Sequence, residues 1–399
     1  MVETADQNSV RKFNSALVLD ILRRQAPRSR AELAAATGLN RSTISSIVNE
    51  LVTDGLVQET IFQSDRVGRP GLLLELNPSG GFAVGLEIGV DFLSAIVTDF
   101  TANILWRRHK KSDASRGQGP VIELAFALIE DALAFGRARG LRPLGIGIGI
   151  PALVDLDRGF VMLAPNLRWE NTPLRMMFTQ RLRLPVIVEN DGNASALAEY
   201  YFGAARDVKN SIYLSAGVGL GAGIILDGKL FRGTSGYAAE IGHMVADPNG
   251  ELCACGKRGC YETLVNPRPV VRRVQEALAS TDAPSSLRDV RGPITFDLVV
   301  EAARLNDPMA LDALRWLGDN LGVVMANLIN LFNPEMMILG GVLGHAAEFL
   351  MPVVEESIKA NALGLSRRDV TLAASEYGDE TCVMGAATLV LDQILREPV

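Results

Sequence analysis

The sequence predicts an α/β protein in which a small helical module precedes a larger body of alternating strands and helices. Three features lead to this prediction: a helix, helix, glycine turn, helix pattern in the first 55 residues, glycine-bent apolar strands from Gly81 onward, and a loop rich in cysteine and glycine near residue 250. At 399 residues with 48% hydrophobic content, the chain is long enough for two or three packed domains.

Two helices are predicted in the first 37 residues. Apolar residues at four-residue spacing predict a first helix over Asn14–Arg24, namely Phe13, Leu17 and Ile21. Pro27 ends it, because proline lacks the amide hydrogen that a helix interior needs. Ser29 and Glu32 have the spacing of a capping box, which opens a second helix through Thr37.

A third helix follows the turn at Gly38 and ends at Gly55. Its apolar stripe has helical spacing: Ile44, Ile47, Val48 and Leu51. The arrangement is typical of a helix-turn-helix, with a three-helix protein-binding domain as the alternative. Short polar groups and one arginine at the start of this helix suit base edges and phosphates: Asn40, Arg41, Ser42, Thr43, Ser45 and Ser46.

Charge supports a DNA-binding module. The net charge of the chain is −7, yet the segment from Arg11 to Arg41 holds seven basic residues against two acidic ones. A local basic region on an acidic chain is typical of a small DNA-reading domain attached to a larger sensor.

A wing is predicted after the third helix. Residues 56–60 and 72–76 have strand composition and flank the polar segment 64–71. Arg66 and Arg69 lie in this segment, and Pro70 favours an extended backbone that can place an arginine in a narrow minor groove. The alternative is an ordinary loop with two solvated arginines.

Two sets of three consecutive strands are predicted in the body, at residues 82–89, 94–98 and 104–106, and at 211–215, 223–226 and 229–231. In each set a glycine precedes a turn aspartate by ten positions (Gly89 and Asp99, Gly217 and Asp227), which indicates a weak internal repeat. Further strands at 144–150, 186–188 and 336–339 alternate with helices such as 193–201 and 311–331. The pattern is that of an α/β body.

The most specific motif lies between Glu240 and Glu262. Three cysteines and a histidine can close a tetrahedral structural zinc site: His243, Cys253, Cys255 and Cys260. Burial of the cysteines as small apolar residues is the alternative, but the interspersed glycines favour a tight metal-wrapping turn. The carboxylates of Glu240 and Glu262 are not needed by the metal and suit a polyhydroxyl ligand.

Location is also constrained by the sequence. No apolar run reaches the roughly 18 residues of a membrane helix, and the first residues lack the features of a signal peptide. A thiol-rich metal loop with one additional cysteine, Cys382, fits a reducing compartment. We therefore expect a cytoplasmic protein without a membrane partner.

The motif E-x-G-H … C-x-C-G-x-x-G-C-x-E resembles the signature of the ROK family of bacterial sugar kinases and sugar-responsive repressors, and the resemblance runs from about residue 79 to the end. Residues 29–49 resemble the DNA-binding half of ROK repressors, in particular the xylose-repressor branch. The resemblance implies a winged helix-turn-helix at 1–78 and a two-lobed actin and hexokinase-like body at 79–399. Lobe I is expected at about 79–190 plus 380–399, and lobe II at about 191–379.

The resemblance also implies a sugar site in the cleft between the lobes. Residues matching the family's sugar-contacting segments are Asn166, Asn190, Asp191, Glu240, His243 and Glu262. In ROK kinases the aspartate corresponding to Asp191 is the general base. An alternative role for Asn190 and Asp191 is to form a turn and cap the helix that follows.

Two departures from the kinases favour a repressor. Val90 and Asp91 replace a glycine and a hydroxyl residue of the early phosphate turn, and Ala216 replaces a threonine of the later one. A carboxylate facing a triphosphate is repulsive. We therefore expect no enzyme, but a repressor that binds a palindromic operator as a homodimer or homotetramer and responds to xylose or a hexose such as glucose. The alternatives are an ATP-dependent sugar kinase with an accessory DNA-binding arm, and a repressor that answers to a partner protein.

Overall fold

The N-terminal module has winged helix-turn-helix architecture in the computed structural model, which describes residues 7–62 and 71–398. Its elements are α1 (Gln7–Gln25), α2 (Arg30–Thr37), α3 (Arg41–Thr53), β1 (Val57–Phe62) and β2 (Gly71–Leu76). The two strands pair in antiparallel register from Val57 opposite Leu76 to Phe62 opposite Gly71. Arg66 and Arg69, predicted at the tip of the wing, lie outside the described residues.

Local signals set the helix boundaries. The capping box is present: Ser29 accepts from the Glu32 amide, and the Glu32 carboxylate accepts from the Ser29 amide at 2.8 Å. Gly38 ends α2 with φ +72°, in the left-handed region that glycine tolerates best. Asn40 then caps α3, because its Oδ1 accepts from the Thr43 amide at 2.8 Å.

The predicted start of the first helix was wrong. The apolar residues used to predict this helix also do not form its buried face. The helix begins at Gln7, and Phe13 is 70% exposed. Its buried face consists of Val18, Leu19 and Leu22, which pack on α3 and on the body. Four-residue spacing occurs on more than one face of this helix, so periodicity alone indicated a helix without identifying the side that is covered.

The first large sheet of the body has the strand order β10-β6-β3-β4-β5. Its strands are β3 (Phe82–Ile88), β4 (Phe92–Asp99), β5 (Ile104–Lys111), β6 (Pro143–Ile150) and β10 (Val186–Asn190). A small sheet is formed by β7 (Leu153–Asp155), β8 (Phe160–Ala164) and β9 (Trp169–Thr172). Two helices, α4 (Gln118–Arg137) and α5 (Leu174–Leu182), cover the outer face.

The second large sheet repeats the topology of the first, with the order β13-β12-β11-β14-β15. Its strands are β11 (Ser211–Ala216), β12 (Leu220–Leu226), β13 (Lys229–Leu230), β14 (Met336–Gly341) and β15 (Thr371–Ala374). In each sheet a three-stranded antiparallel meander is extended by two parallel strands. The predicted internal repeat is therefore confirmed, and with it the α/β body.

Helices fill the remaining layers. They are α6 (Asp191–Phe202), α7 (Pro267–Ser280), α8 (Phe296–Arg304), α9 (Pro308–Phe332), α10 (Ala347–Asn361) and α11 (Thr381–Arg396). Helices α7 to α10 pack with the outer face of the second sheet, whereas α6 and α11 lie between the two sheets. No helix in the described ranges is long and apolar enough to cross a membrane.

Alternate glycines in β6 let α11 lie directly on the first sheet. Added methyl groups on Gly145, Gly147 and Gly149 would meet Val390, Ala386 and Cys382 of α11, at 3.1, 1.7 and 2.6 Å. Two strand residues span about 6.6 Å and four helix residues about 6.0 Å, so the two periods match. This close packing fixes α11, and α6 beside it, relative to the strand ends where the predicted site residues lie.

Candidate functional site

The N-terminus of α6 carries two of the predicted ligand residues. Asn190 is the N-cap: its Oδ1 accepts from the Asn193 amide at 3.1 Å, and its Nδ2 donates to the Ala152 carbonyl at 3.3 Å. The capping role considered for Asn190 is therefore present. Asp191 occupies the first turn, where its Oδ1 accepts from the Gly192 amide at 2.9 Å. A carboxylate at this position is favoured by the partial positive charge of the helix terminus.

A buried ion pair braces this helix start. Glu189, whose side chain is 2% exposed, accepts from Arg232 Nη2 at 2.8 Å and from Nε at 3.1 Å. Its other oxygen accepts from the Asn190 amide and from Asn193 Nδ2. Glu189 thus ties the strand β10 to the segment after β13 on the second sheet. Sequence reasoning missed Arg232, because its partner lies 43 positions away and no motif links them.

The glycine turn between β11 and β12 brings the predicted residues together. A methyl group on Gly219 would lie 2.7 Å from Glu262 Oε2 and 3.8 Å from Asn166 Nδ2. One on Gly221 would lie 4.0 Å from Asp191 Oδ1. Asn166, Asp191 and Glu262 therefore line the same turn, although 96 positions separate the first from the last. A side chain at position 219 would push the Glu262 carboxylate away from the turn.

His243 connects the carboxylates to the cysteine cluster. Its Nε2 faces Glu240 Oε2 at 3.9 Å, and its Nδ1 lies 3.8 Å from Glu262 Oε1 and 3.6 Å from Cys253 Sγ. The two ring nitrogens thus face different groups, Glu240 on one side and Glu262 with Cys253 on the other. Glu240, His243 and Glu262 are therefore neighbours at this loop, Glu262 also lies at the glycine turn with Asn166 and Asp191, and Asn190 precedes Asp191 at the start of α6.

Electrostatics in the cleft favour protonated carboxyls. Burial raises the pKa of Asp191. Loss of hydration, followed by repulsion from Asp191 and Glu262, raises the pKa of Glu240 to about 7, although 38% of its side chain is accessible. Burial, followed by repulsion from Asp191, raises the pKa of Glu87 to about 8. Neutral carboxyls both donate and accept hydrogen bonds, as sugar hydroxyls do.

Glu87 is a further acid of this site that was not singled out from the sequence. Its Oε2 is buried without a hydrogen-bond partner among the described residues, and the Cys382 thiol donates to its carboxylate. The signal was available, since Glu87 begins the E-I-G-V-D turn in which Val90 and Asp91 were noted.

We expect Glu87→Gln to stabilise the protein at alkaline pH. Because the pKa of Glu87 is raised from 4.5 to about 8 by folding, the folded chain holds a proton that the unfolded chain releases between these values. The free energy of unfolding of the parent therefore falls as pH rises through this window. Thermal midpoints should differ little at pH 5, and the variant should melt higher by a few degrees at pH 8. Glu355→Gln, at an exposed site on α10, is the matched control. An equal difference in thermal midpoint at pH 5 and pH 8 would show that the raised pKa of Glu87 is not the cause.

The four predicted metal ligands form one cluster. Their donor atoms all lie within 4.8 Å of one another. Cys255 Sγ and Cys260 Sγ are 3.7 Å apart, and Cys253 Sγ is 3.6 Å from His243 Nδ1. Bonds of about 2.3 Å to sulfur and about 2.0–2.1 Å to nitrogen give tetrahedral edges of about 3.8 and 3.6 Å. The donor set therefore fits a tetrahedral metal ion, and the four cysteines are free thiols.

The loop backbone explains why glycines punctuate this motif. Gly256 has φ +85°, and a methyl group on Gly259 would lie 1.5 Å from the Asp247 carbonyl oxygen. Cys253 and Lys257 are joined by a backbone hydrogen bond of 2.8 Å, and the Cys255 amide donates to Cys253 Sγ at 3.3 Å. The glycines thus permit a turn tight enough to gather the three sulfur atoms.

The predicted recognition helix presents a polar face. Arg41, Ser42 and Ser46 are exposed at the start of α3. Two residues are partly engaged: the side-chain Oδ1 of Asn40 caps the helix, and Ser46 Oγ accepts from Arg11 at 3.3 Å. Arg41 has no ion-pair partner within the described ranges and is available to an outside ligand.

Comparison with known proteins identifies the families that the two parts of the chain resemble. Residues 83–393 match the ROK family, and residues 12–66 match the MarR family. The xylose repressor of Caldicellulosiruptor bescii is 32% identical over 391 residues, covering 98% of each chain. A crystal structure of a ROK family transcriptional regulator, a homolog of the E. coli MLC protein, has a TM-score of 0.83 at 31% identity and covers 97% of each chain.

A kinase is also similar to the body. The ROK family glucokinase from Streptomyces griseus, solved in complex with glucose and AMPPNP, has a TM-score of 0.70 at 35% identity, and the match covers 77% of this chain and 99% of that one. The similarity to repressors extends over nearly the whole chain, whereas the similarity to this kinase covers about three quarters of it. With a family match over most of its length, the chain belongs to the ROK family, and it combines the actin and hexokinase-like body of that family with a winged helix-turn-helix at its N-terminus.

Proposed function

We propose that the protein is a sugar-responsive transcriptional repressor, in which residues 1–78 bind operator DNA and the cleft of the body binds a small sugar. The observation that carries the proposal is that one chain combines an exposed, polar helix α3 with a glycine turn lined by Asn166, Asp191 and Glu262. Full-length similarity to a xylose repressor supports it. The division of the body into lobes at 79–190 plus 380–399 and at 191–379 belongs to the same proposal.

The proposed effector is xylose or a hexose such as glucose. The relative from C. bescii is a xylose repressor, and the glucokinase of known structure holds glucose. Both sugars present adjacent hydroxyls that donate and accept, which suits the amide of Asn166 and the carboxyls of Asp191, Glu240 and Glu262. The imidazole of His243 adds a partner whose orientation a bound metal would fix.

We assign the metal as a structural zinc ion held by His243, Cys253, Cys255 and Cys260. Three sulfur donors and one imidazole leave no open coordination position, so the ion would hold the loop and take no part in a reaction. The Cys253 thiol now donates to Glu262 Oε1 at 2.7 Å. Ligation needs this sulfur as a thiolate, which would free the Glu262 carboxylate for the sugar.

The nucleotide side supports a repressor over a kinase. Ala216 is buried at the end of β11 and offers no hydroxyl, and Asp91 adds a negative charge to the early turn. We expect no useful phosphorylation of xylose or glucose in the presence of ATP and Mg²⁺. Phosphoryl transfer depends on positioning and charge stabilisation, and kinases of this kind turn over about 1–100 times per second. ADP release at such a rate would make the chain a kinase with a DNA-binding arm.

The test of the proposed function is operator binding with and without xylose, glucose, fructose or N-acetylglucosamine. We expect one sugar to weaken DNA binding about 5- to 150-fold, the usual range of coupling between two sites. Asp191→Ala should remove the response by removing the central cleft carboxylate. Asp282→Ala, at an exposed position after α7, is the matched control and should respond like the parent.

Two other results would redirect the proposal. Sugars that bind the cleft without changing DNA affinity would contradict it. A response in Asp191→Ala equal to that of the parent would place the effector elsewhere.

The winged helix should act on a palindromic operator as a homodimer or homotetramer, because a helix-turn-helix that reads two half-sites needs two copies. Light scattering of the protein bound to operator DNA would measure how many chains the complex contains.

A further inference from the structure

The C-termini of α1 and α6 cap each other. Arg23 of α1 donates to the Tyr201 carbonyl near the end of α6 at 2.7 Å. In return, Arg206, just after α6, donates to the Arg23 and Arg24 carbonyls near the end of α1, at 2.9 and 3.2 Å. The last carbonyls of a helix lack partners within the helix, and a cation there is favoured by the helix dipole. Each helix thus satisfies the end of the other.

Two aromatic rings reinforce this joint, which we call the α1–α6 joint (Arg23, Arg24, Tyr200, Tyr201 and Arg206). The Arg23 guanidinium lies 4.5 Å from the centroid of the Tyr201 ring, and Arg24 donates to Tyr200 Oη at 2.8 Å. Arg23 is only 7% exposed. Cation–π contacts and charged hydrogen bonds gain strength when they are desolvated. Two arginines that the sequence assigned to a DNA-facing basic region therefore face the body instead.

The other end of α6 is the start of the sugar cleft. Asp191 is its first residue, and Tyr201 lies ten positions later. The helix has little room to move independently of its neighbours. A methyl group on Gly192 would lie 2.3 Å from the Ala222 carbonyl oxygen of β12, and one on Gly385 of α11 would lie 1.9 Å from the Ala194 carbonyl oxygen. A displacement at its first turn must therefore move the whole helix or its neighbours.

We propose that α6 carries the state of the cleft to the DNA-binding module, and that the α1–α6 joint is the contact through which it acts. The proposal rests on the function proposed above, since it names how occupation of the cleft changes DNA affinity. A ligand held by Asp191 shifts α6 as a whole, the joint passes this motion to α1, and α1 sets the position of α3. Coupling of this kind requires an element with alternative positions that both sites influence.

The first experiment compares the effect of sugar on operator affinity in joint variants. Arg23→Met keeps the apolar stem and removes both the Tyr201 hydrogen bond and the cation–π contact. Arg206→Met removes the reciprocal cap from an exposed position and is therefore a milder change. Both variants should bind sugar with parental affinity, within about twofold, while the 5- to 150-fold sugar effect on DNA binding falls to less than about twofold.

Lys12→Met is the matched control, since it removes one positive charge from the exposed N-terminal half of α1. It should lower DNA affinity at most uniformly and keep the parental ratio of affinities with and without sugar. A parental ratio in folded Arg23→Met and Arg206→Met would overturn the role of the joint. It would leave the proposed function intact, because that function requires only that the sugar effect exists.

A second experiment tests the helix without a sugar. Gly192→Ala should displace the first turn of α6 from the Ala222 carbonyl, and Gly223→Ala should do so from the strand side, since its added methyl would lie 2.3 Å from the Gly192 carbonyl oxygen. In whichever variant retains parental circular dichroism, operator affinity should change severalfold. The change should disappear in combination with Arg206→Met. An equal change with and without Arg206→Met, or no change in a folded variant, would contradict transmission through the joint even if no sugar proved to be an effector.

Discussion

Cys255→Ser is expected to abolish metal binding and to unfold the loop from Glu240 to Glu262. Among the described residues, the ligand side chains touch one another only through weak contacts, such as Cys253 Sγ to His243 Nδ1 at 3.6 Å and Cys255 Sγ to Cys260 Sγ at 3.7 Å, which a metal ion would replace with bonds. Zinc contributes about 10–16 kcal/mol to the folding of isolated zinc-finger peptides. Here the loop rests on a large apolar core, so we expect local unfolding and a thermal midpoint that falls by many degrees, with the winged helix still folded.

Sugar binding should be lost in the same variant. Glu240, His243 and Glu262 all lie on the loop, and His243 Nε2 faces Glu240 only while Nδ1 is directed at the cluster. Cys382→Ala is the matched control for the metal content only, because Cys382 lies on α11, outside the cluster. Metal analysis should give one zinc per chain in the parent and in this control, and none in Cys255→Ser. Three freely titrating thiols in the native parent, with no zinc, would refute the assignment.

Motifs whose residues lie close together in the sequence could be predicted, because a single short segment supplies all the interacting groups of each motif. The capping box at Ser29, the turn at Gly38 and the four metal ligands depend on residues close in sequence. Asp227 and Gly228 also form the predicted hairpin turn, with φ +50° and +73°. These local interactions allowed the second helix and the ligands of the metal loop to be predicted from the sequence, whereas the start of α1, which has no such signal, was missed.

Strand ends were harder to predict where glycine faces a helix. Strand β12 begins at Leu220, three residues before the predicted start, because Gly221 and Gly223 interrupt its apolar pattern. Gly223 is needed in the strand to let α6 approach. The prediction therefore began the strand at Gly223 and missed its first three residues, Gly221 among them.

The brace at Glu189 and the joint at Arg23 could not be predicted, since each pairs groups that are distant in sequence. Arg23 lies 178 positions from Tyr201, and the run of basic residues around it favoured a role in DNA binding. Only the folded chain distinguishes an arginine that faces DNA from one that faces the body. Arg41 is exposed at the start of α3, whereas Arg23 is buried against the body.

Arg41→Ala is accordingly expected to weaken operator binding by roughly 5- to 150-fold, the effect of about 1–3 kcal/mol for one good base contact. Arg41 is exposed at the first position of α3 and has no ion-pair partner within the described ranges, so its removal should leave the fold unchanged. The matched control is Arg116→Ala, which removes an exposed arginine from the body. It should bind operator like the parent. A chain lacking residues 1–78 should lose operator binding altogether.

Salt dependence then separates the two roles that Arg41 can have. If Arg41 contacts a phosphate, the slope of log K against log salt should decrease in magnitude by about one in Arg41→Ala, with similar losses for all sequences. If it contacts a base, the slope should change little and discrimination should be lost at one operator position. The exposed serines beside it can hold phosphates, which leaves the longer arginine to reach a base edge, so we expect the second result. The predicted minor-groove contact of Arg69 can be measured in the same way with Arg69→Ala, on operators that differ only in the A·T content of their flanks. If Arg41→Ala kept both the parental salt slope and the parental discrimination between operator sequences, α3 would not be the recognition helix.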